Sequence, residues 1–378
     1  MDVKSEIIYI HPAVRTYRVG IFKLLSKKLN INFFFSQDMS KSNKHISKEV
    51  DEILQNTSIN YIQAKELRFL PFNEFSFDLL KLPFSSYKVF IFSSITSVPY
   101  LLLAPFLKIL GKKIILFDEL WRYPIEVKKY KIIYPYIRFL SKFCLDSVVT
   151  AGSKAKEFYV DELNFDKNKI FVAYNTTVDK NDFVKKTNII NDKKKILYLG
   201  RIVKYKGLDL LIKAMKNISQ EYDLLVVGDG EFEHECKELV DSLNLDKRVH
   251  FMGGCSSDDV HKYYANSDIF VLPTRFKLDD NVQIESWGFT VNEAMSYELP
   301  VVTTTAVGSG FDLIIDGETG CLAKAGDVDS LSEKINYIIK NNKDNKIGKK
   351  AKEYLEKICN YEDNYIAYEK AIKKALDE

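Results

Sequence analysis

Cysteines are few and isolated in this sequence of 378 residues. No two of them form a CxxC pair or another close spacing that a zinc site or a disulfide framework requires. The histidines likewise lack HxxE and HExxH contexts. We therefore expect reduced thiols, a reducing compartment and no metal site. The cysteines are Cys144, Cys236, Cys255, Cys321 and Cys359.

Signals for secretion and for membrane insertion are also missing. Residues 1–10 carry charged side chains before a short apolar run, which is not the basic region and apolar core of a signal peptide. The longest uncharged stretch, residues 89–107, contains Pro99 and Pro105, so it predicts a buried strand followed by a separate helix and not a membrane span. These absences predict a cytoplasmic protein.

Charge is distributed unevenly along the chain. Residues 1–180 hold 27 basic and 18 acidic side chains, whereas residues 181–378 hold 28 basic and 34 acidic ones. A basic first half suits an anionic partner, either a lipid surface or a phosphate-bearing acceptor, although dispersed solvating lysines explain it equally well. The segment YLLLAPFLKILGKK, residues 100–113, predicts either peripheral membrane contact or a core helix with a basic end. No nucleic-acid-binding module is present, so we expect no nucleic-acid partner.

Short apolar runs alternate with longer helical patterns throughout the chain. This alternation predicts an α/β fold of doubly wound parallel sheets with crossover helices. The runs are EIIYI, INFFF, VFIFS, KIILF and SVVTA in the first half, and KILYLG, DLLVVG, DIFVLP and PVVTT in the second.

A polar segment rich in lysine and asparagine, about residues 172–195, separates the two series of strands and is the candidate linker. We expect an N-terminal Rossmann-like domain at 1–180 and a C-terminal one at 190–355, facing a central cleft. The chain from about Lys346 onward has a helical pattern throughout, and residues 356–378 are expected to cross back onto the first domain.

Two basic residues follow the first strand of the second half. Arg201 and Lys206 lie in GRIVKYKG, and cations there can clamp a diphosphate whose negative charge grows as its bond to a sugar breaks. Gly228 and Gly230 follow the next strand, where a nucleotide-binding turn needs close approach of the backbone. A solvated loop and a plain turn are the alternatives for these two features.

Paired carboxylates are the strongest chemical signal. Glu285 and Glu293 are separated by seven residues in ESWGFTVNE, with Gly288 between them and a helical pattern following. A helix that begins near Gly288 would place an anion-binding end beside two acceptors for sugar hydroxyls. Two surface glutamates beside a helix start are the alternative.

The stretch ESWGFTVNEAMSYELPVV resembles the E-x7-E segment of the retaining glycosyltransferases of family 4, which have the GT-B fold. The resemblance covers about residues 145–330 and implies a nucleotide-sugar donor, UDP-sugar in preference to GDP-mannose, with no cofactor and no essential metal. The supporting segments, in order, are DSVVTAGSKAKEF, GRIVKYKGLDLLIKAM, VVGDGE, RVHFMGG, NSDIFVLPT and AVGSGFDLIIDGETGCL.

The resemblance also assigns roles to individual residues of the donor side. Arg201 and Lys206 would hold the donor diphosphate, Glu293 the ribose and Glu285 the transferred sugar. The remaining donor contacts would be Gly228 and Gly230 in the glycine turn, Gly288, Phe289 and Thr290 near the phosphates, and Phe251, Gly253 and Gly254 near the base.

The acceptor side is less clearly specified, because the first half departs from the family pattern. Asp118 and Glu119 stand where the family has a histidine, so either would orient or deprotonate the acceptor hydroxyl, Glu119 with slight preference. His11, Arg15 and Arg18 follow the first strand and would face the cleft, where the two arginines would bind an acceptor phosphate or the donor diphosphate, unless this is a plain loop with surface arginines.

The resulting prediction is a hexosyltransferase acting on a glycan or a lipid-linked acceptor in the synthesis of cell-surface polysaccharide. A sugar-nucleotide epimerase or a phosphorylase on the same fold is one alternative, and a non-catalytic donor-binding subunit is another. One local departure is Glu298, where the family usually has glycine, so a left-handed backbone is expected to be avoided or tolerated there.

Overall fold

The computed structural model describes residues 6–14, 16–36, 59–64, 76–123, 128–176, 193–256, 259–276 and 284–377. The chain divides into two compact units. The first comprises Met1–Thr177 with Asn360–Glu378, and the second comprises Val178–Cys359. The second unit thus extends to Cys359, beyond the expected bound of 355.

Each unit contains one parallel sheet. The strands are β1 Ile7–His11, β2 Ile31–Phe35, β3 Tyr61–Gln63, β4 Val89–Phe92, β5 Lys113–Asp118, β6 Ser147–Thr150, β7 Ile170–Val172, β8 Lys194–Leu199, β9 Tyr222–Val227, β10 Val249–Gly253, β11 Ile269–Leu272, β12 Val301–Thr304 and β13 Gly320–Ala323. The seven-stranded sheet has the order β3-β2-β1-β4-β5-β6-β7, and the six-stranded sheet has the order β10-β9-β8-β11-β12-β13. All registered pairs are parallel, so the predicted doubly wound architecture is confirmed.

Helices connect the strands in both units. The α-helices are α1 Thr16–Leu29, α2 Val98–Ile109, α3 Lys128–Phe143, α4 Ser153–Glu157, α5 Leu208–Ala214, α6 Glu233–Ser242, α7 Val260–Ala265, α8 Phe289–Ser296, α9 Gly308–Leu313, α10 Val328–Asn341, α11 Lys346–Ile358 and α12 Tyr361–Leu376. Shorter turns of helix include the 3₁₀ helices Phe77–Phe84 and Lys204–Lys206 and the π-helical turn Phe158–Glu162.

The strands read as unbroken apolar runs because both faces of each sheet are covered. On β1, Tyr9 belongs to a core beneath α1 and α12, whereas Ile8 and Ile10 belong to a core beneath α2 and α3. In the second unit, one buried core joins the strands to α5, α6 and α10. This burial fixes the strand ends from which the functional loops emerge.

The C-terminal region is two helices, so the prediction of one helix from Lys346 onward is wrong at its centre. The break falls at Cys359 and Asn360, where the Asn360 side chain accepts a hydrogen bond of 2.9 Å from the amide of Asp363 and so begins α12. Helix α12 packs within the first unit, where Ser147 Oγ donates to the Ala371 carbonyl at 2.9 Å.

Glu298 adopts the left-handed conformation that was expected to be avoided or tolerated there, with a φ of 58°. Its carbonyl accepts a hydrogen bond of 2.9 Å from Asn345 Nδ2, and the amide of Leu299 donates to Ala294 at 3.1 Å. These bonds hold the end of α8 in a conformation that costs a non-glycine residue about 1 kcal/mol.

Apolar helices are present in the first unit, including α2, which follows β4 as a separate element. Within the described ranges, none of the helices is long and apolar enough to cross a membrane.

Candidate functional site

The C-terminal ends of β8 and β11 mark the point where strand order reverses in the second sheet. In open α/β sheets ligands bind at such a point, because the loops that follow the two strands diverge there. The loop after β8 carries Arg201 and Lys206, and Glu285 lies between β11 and α8. The fold therefore gathers sequence-distant residues at one edge of this sheet.

Lys206 and Glu285 form an ion pair at this edge. Lys206 Nζ donates to Glu285 Oε2, and the two side chains are only 13% and 16% exposed. Lys206 ends the 3₁₀ helix Lys204–Lys206, and Gly207 follows with a φ of 75°. A Cβ on Gly207 would lie 2.1 Å from the Pro273 carbonyl oxygen, so only glycine lets this turn lie directly against the end of β11.

The backbone around Glu285 is fixed by the loop that follows β12. The Glu285 amide donates to Ala306 at 3.3 Å, and its carbonyl accepts from the Gly308 amide at 3.0 Å. Two residues later the Trp287 carbonyl accepts from Ser309 at 2.9 Å. The Glu285 carboxylate therefore projects from a backbone that is held on both sides.

Gly288 begins α8 with a φ of 92°. A Cβ there would lie 2.8 Å from Val307 Cγ1 and 3.2 Å from Leu272 Cδ2, so a larger residue has no room. Phe289 and Thr290 follow as the first residues of the helix, where the positive end of the helix dipole lies. The predicted helix start at Gly288 is thus present in the structure.

Glu293 lies on α8 and is partly buried beside Tyr264. The Tyr264 hydroxyl donates to Glu293 Oε2 at 2.6 Å, and its ring stacks on Tyr297 with the centroids 5.3 Å apart. Burial raises the pKa of Glu293, and the hydrogen bond from Tyr264 opposes that rise. Sequence reasoning missed Tyr264, which is on α7 and has no motif of its own.

Arg201 is exposed, in contrast to Lys206. Its Nη2 lies 3.3 Å from the hydroxyl of Tyr205, while its carbonyl accepts from Tyr198 at 2.8 Å. A second missed residue, Arg275, pairs with Asp209, and its amide donates to the Tyr205 carbonyl at 2.8 Å. Arg275 therefore braces the turn that carries Lys206.

The glycine turn after β9 packs tightly against its neighbouring loops. A Cβ on Gly228 would lie 2.0 Å from the Gly200 carbonyl oxygen, and one on Gly230 would lie 2.2 Å from that of Ile202. The Gly228 amide donates to the Gly253 carbonyl at 2.8 Å. The backbones of three successive strand-end loops thus lie in contact, and this contact by itself requires glycine at both positions.

The region expected to receive the base follows β10. Phe251 is partly buried, and Lys237 Nζ lies 5.3 Å from the centre of its ring. Gly254 is exposed, and a Cβ there would lie 2.5 Å from Asp229 Oδ2, a flexible atom at the surface.

In the first unit, Glu119 follows β5 and pairs with Arg18 of α1. Glu119 Oε1 accepts from Arg18 Nη2 and, at 3.1 Å, from Asn175 Nδ2. The Arg18 guanidinium carbon lies 4.4 Å from the centre of the Phe117 ring. The two paired side chains are 10% and 27% exposed, so Glu119 keeps an accessible edge.

Asp118 has a different environment from its neighbour, because it is 1% exposed. It accepts hydrogen bonds from the Tyr159 hydroxyl at 2.7 Å and from the amides of Ile95 and Leu120, each at 3.0 Å. Burial raises the pKa of Asp118 to about 6, against those hydrogen bonds. The carboxylate holds the loops after β4 and β5, and this favours Glu119 as the group that faces a substrate.

The remaining acceptor-side predictions concern the loop after β1. His11 Nδ1 lies 2.8 Å from the Ala13 carbonyl oxygen and donates to it, which fixes the ring beside the end of β1. Arg15 lies outside the described residues.

The chain matches known proteins in sequence and in structure. Residues 179–354 match the family model described as Glycosyl transferases group 1. Over 225 residues the chain is 31% identical to the capsular polysaccharide biosynthesis glycosyltransferase CapM of Staphylococcus aureus, covering 56% of each chain. Over 153 residues it is 25% identical to the GDP-mannose-dependent alpha-(1-6)-phosphatidylinositol monomannoside mannosyltransferase of Mycolicibacterium smegmatis, covering 40% of each.

The whole chain is similar to a solved structure, that of Anabaena Alr3699/HepE in complex with UDP. The TM-score is 0.77, with 15% sequence identity over 97% of this chain and 100% of that one. This likeness shows the fold, and the predicted GT-B class is confirmed. The sequence matches span about half the length of the curated relatives, and the family match falls within the second unit.

Proposed function

We propose that the protein is a retaining, metal-independent glycosyltransferase that moves a sugar from a nucleotide-sugar donor to a hydroxyl of a glycan or lipid-linked acceptor. UDP-sugar is the favoured donor and GDP-mannose the alternative. The observation that carries the proposal is the Lys206–Glu285 pair at the strand-order reversal, within the residues that match the glycosyl transferases group 1 model. Synthesis of cell-surface polysaccharide in the cytoplasm is the proposed setting, in keeping with the CapM relative.

Donor binding would break the ion pair between Lys206 and Glu285 and give each side chain a new partner. A diphosphate arriving near Lys206 replaces Glu285 as the counter-ion of the ammonium group, which releases the Glu285 carboxylate to accept hydrogen bonds from the sugar. Arg201 is exposed and so accessible to the same diphosphate. Glu293 would accept hydrogen bonds from the ribose hydroxyls through the oxygen that Tyr264 does not occupy.

The transfer itself would break the bond between the anomeric carbon and the diphosphate oxygen while the acceptor oxygen bonds to that carbon from the same face. Lys206 and Arg201 stabilise the charge that develops on the leaving diphosphate, which is the countercharge that a metal supplies in other enzymes. The leaving oxygen can accept the acceptor proton. Glu119 of the first unit would orient the acceptor hydroxyl.

The test is consumption of UDP-sugars in the presence and absence of candidate acceptors, with EDTA present. We expect release of UDP only with an acceptor. With an α-linked donor, retention should give an α-glycoside whose anomeric proton is equatorial, as measured by NMR. Loss of activity with EDTA would contradict metal independence, and an inverted product would contradict retention. Interconversion of the sugar nucleotide without an acceptor would indicate an epimerase, and dependence on inorganic phosphate a phosphorylase.

Donor binding without turnover would indicate a non-catalytic binding subunit. Binding is measured separately, by the shift in melting temperature on adding UDP or GDP, since a ligand that binds only the folded state stabilises it. Lys206→Ala should abolish that shift. The matched control is Lys350→Ala, which removes an exposed lysine of the same unit that pairs with Glu318. A shift of wild-type size in the Lys206 variant would overturn the donor assignment.

A further inference from the structure

Exposed apolar side chains are concentrated on one face of the first unit. Eleven of the seventeen exposed large apolar side chains in the described ranges lie on the 3₁₀ helix Phe77–Phe84, on α2 and the residue after it, and on α3. We call this surface the apolar face. Its members are Phe77, Leu80, Phe84, Leu102, Phe106, Ile109, Leu110, Ile132, Tyr136, Phe139 and Phe143.

The spacing of these residues shows that they form stripes on the outer sides of their helices. On α2, Leu102, Phe106 and Ile109 recur at intervals of four and three residues, while Leu103 and Leu107 are buried beneath. Ile109 is 83% exposed. The helix is therefore apolar on two opposite sides, only one of which the sheet covers.

Helix α3 repeats this arrangement beside α2. Ile132, which is 72% exposed, begins a stripe that continues to Phe143, while Ile137 and Leu140 are buried in the core of the unit. The Tyr136 hydroxyl donates to the Leu101 carbonyl at 2.7 Å, so α3 lies directly against α2. The stripes on the two helices consequently belong to one continuous surface.

The exposed charges on α3 have a single sign. On α3, Lys131, Arg138 and Lys142 are exposed, and the helix contains no acidic residue. Lys108 of α2 pairs with Asp146 at 2.7 Å, and Lys81 of the 3₁₀ helix pairs with Asp78 at 2.9 Å. Arg138 and Lys142 lie between the apolar residues of α3. Phe139 and Phe143 form an aromatic pair with ring centroids 5.0 Å apart beside these cations. Aromatic side chains flanked by cations suit the interface of a bilayer with anionic headgroups.

We propose that the apolar face binds an anionic lipid surface, with α2 and α3 lying in the plane of the interface. The apolar stripes enter the boundary between headgroups and acyl chains, and the basic side chains contact lipid phosphates. An exposed apolar patch of this size on a water-facing surface marks an interaction site, and the basic residues of α3, which has no acidic residue, select an anionic lipid surface over a neutral partner. The proposal is independent of the donor site. The sequence indicated lipid contact through the basic first half and the segment containing α2, and the structure adds the exposed stripe of α3.

The test is co-sedimentation of the protein with vesicles of pure phosphatidylcholine and of phosphatidylcholine mixed with phosphatidylglycerol, whose negative surface potential attracts basic side chains. We expect binding to the anionic vesicles only, and a fall in the partition coefficient of at least about tenfold in the double variant Ile109→Glu, Ile132→Glu. Arg138→Glu with Lys142→Glu should lower it by about fivefold or more for each residue, and salt should weaken what remains.

Ile315→Glu is the matched control, because Ile315 is an exposed isoleucine, 41% accessible, in the second unit. It should bind vesicles as the wild type does. Both isoleucines of the test variant are at the surface, so circular dichroism and the UDP-induced melting shift should be unchanged. Absence of vesicle binding, equal binding to neutral vesicles, or wild-type binding by the double variant would overturn the proposal. A wild-type dimer that Ile109→Glu dissociates, without vesicle binding, would assign the face to a second copy of the chain.

Discussion

Each unit contains a carboxylate–cation pair in the loops and helices that follow its strands, but the two units hold these pairs in different ways. Lys206 and Glu285 project from backbone segments that lie in direct contact with neighbouring loops. Arg18 and Glu119 instead depend on side chains, namely the ring of Phe117 beneath the guanidinium and the amide of Asn175 on the carboxylate. The first arrangement requires close backbone approach, whereas the second requires buried side-chain packing.

The distribution of glycine reflects this difference. Three of the sixteen glycines, Gly20, Gly111 and Gly152, fall in the first unit, and the other thirteen fall in the second. A Cβ on Gly207 or Gly228 of the second unit would lie 2.1 Å or 2.0 Å from a backbone carbonyl oxygen, far inside van der Waals contact, and no rotamer change can relieve that clash. The second unit is therefore the more sensitive to small backbone changes, and the first to loss of individual polar contacts.

The largest effect is expected from Glu285→Gln, which removes the charge and keeps the shape. If Glu285 contacts the transferred sugar, turnover should fall by about a hundredfold to a thousandfold, because an interaction stronger in the transition state is lost. Glu318→Gln is the matched control, an exposed glutamate of the same unit that pairs with Lys350. Initial rates of UDP release measure both, and equal rates in the two variants would refute the catalytic role.

Gly228→Ala should give the next largest effect, on folding and donor binding together. Its Cβ would lie 2.0 Å from the Gly200 carbonyl oxygen, so the loops after β8 and β9 must separate. We expect a loss of about 2–4 kcal/mol in the free energy of unfolding, with a weaker UDP-induced melting shift. Urea unfolding and calorimetry measure these quantities.

Gly111→Ala is the control for that comparison. Gly111 also has a positive φ, 70°, but a Cβ there would meet nothing within 4 Å, so only the backbone strain of about 1 kcal/mol should appear. If Gly228→Ala and Gly111→Ala lost equal stability, close backbone contacts would not be what distinguishes the second unit from the first.

Sequence predicted the sheets well, because most of their strands are apolar runs between polar loops. The strands that it did not indicate are β3, β7, β10 and β13. All four lie at sheet edges, and β3 and β7 are only three residues long. Short edge strands bury little surface and so leave a weak periodic signal. The helix break at Asn360 was missed because apolar spacing continues across it.

Part of the candidate site was also predictable. Glu285 and Glu293 lie close in sequence on either side of a helix start, so their spacing was enough to predict that start and the two carboxylates beside it. Tyr264 contacts Glu293 from 29 residues away, Arg275 contacts Asp209 from 66, and Asn175 contacts Glu119 from 56. Such partners are brought together only by the tertiary fold, and tyrosine, arginine or asparagine at a strand or helix end is common elsewhere.

A smaller effect is expected in the first unit from Glu119→Gln. The substitution leaves Arg18, whose side chain is 10% exposed, without its counter-ion, and it weakens any orientation of the acceptor. We expect about a tenfold fall in kcat/KM for the acceptor, with UDP affinity unchanged. The control is Glu157→Gln, which alters an exposed glutamate of the same unit. A parallel fall in UDP affinity would show that Glu119 serves the donor instead.

The smallest effect should come from Tyr264→Phe, a second-unit change that removes one side-chain hydrogen bond and no backbone contact. Tyr264 donates to Glu293 at 2.6 Å and opposes the rise that burial causes in the pKa of that carboxyl. Because Glu293 would accept ribose hydroxyls only when ionised, UDP affinity should be present above its pKa and lost as pH falls through it. The variant should lose affinity at a higher pH than the wild type, because removal of the hydrogen bond raises the pKa of Glu293 further. Calorimetric titration of UDP from pH 5 to pH 8 measures this, with Tyr263→Phe on the same helix as control. If the wild type and Tyr264→Phe gave superimposable pH profiles of UDP affinity, Tyr264 would have only a packing role. Side-chain contacts would then matter less to the second unit than to the first.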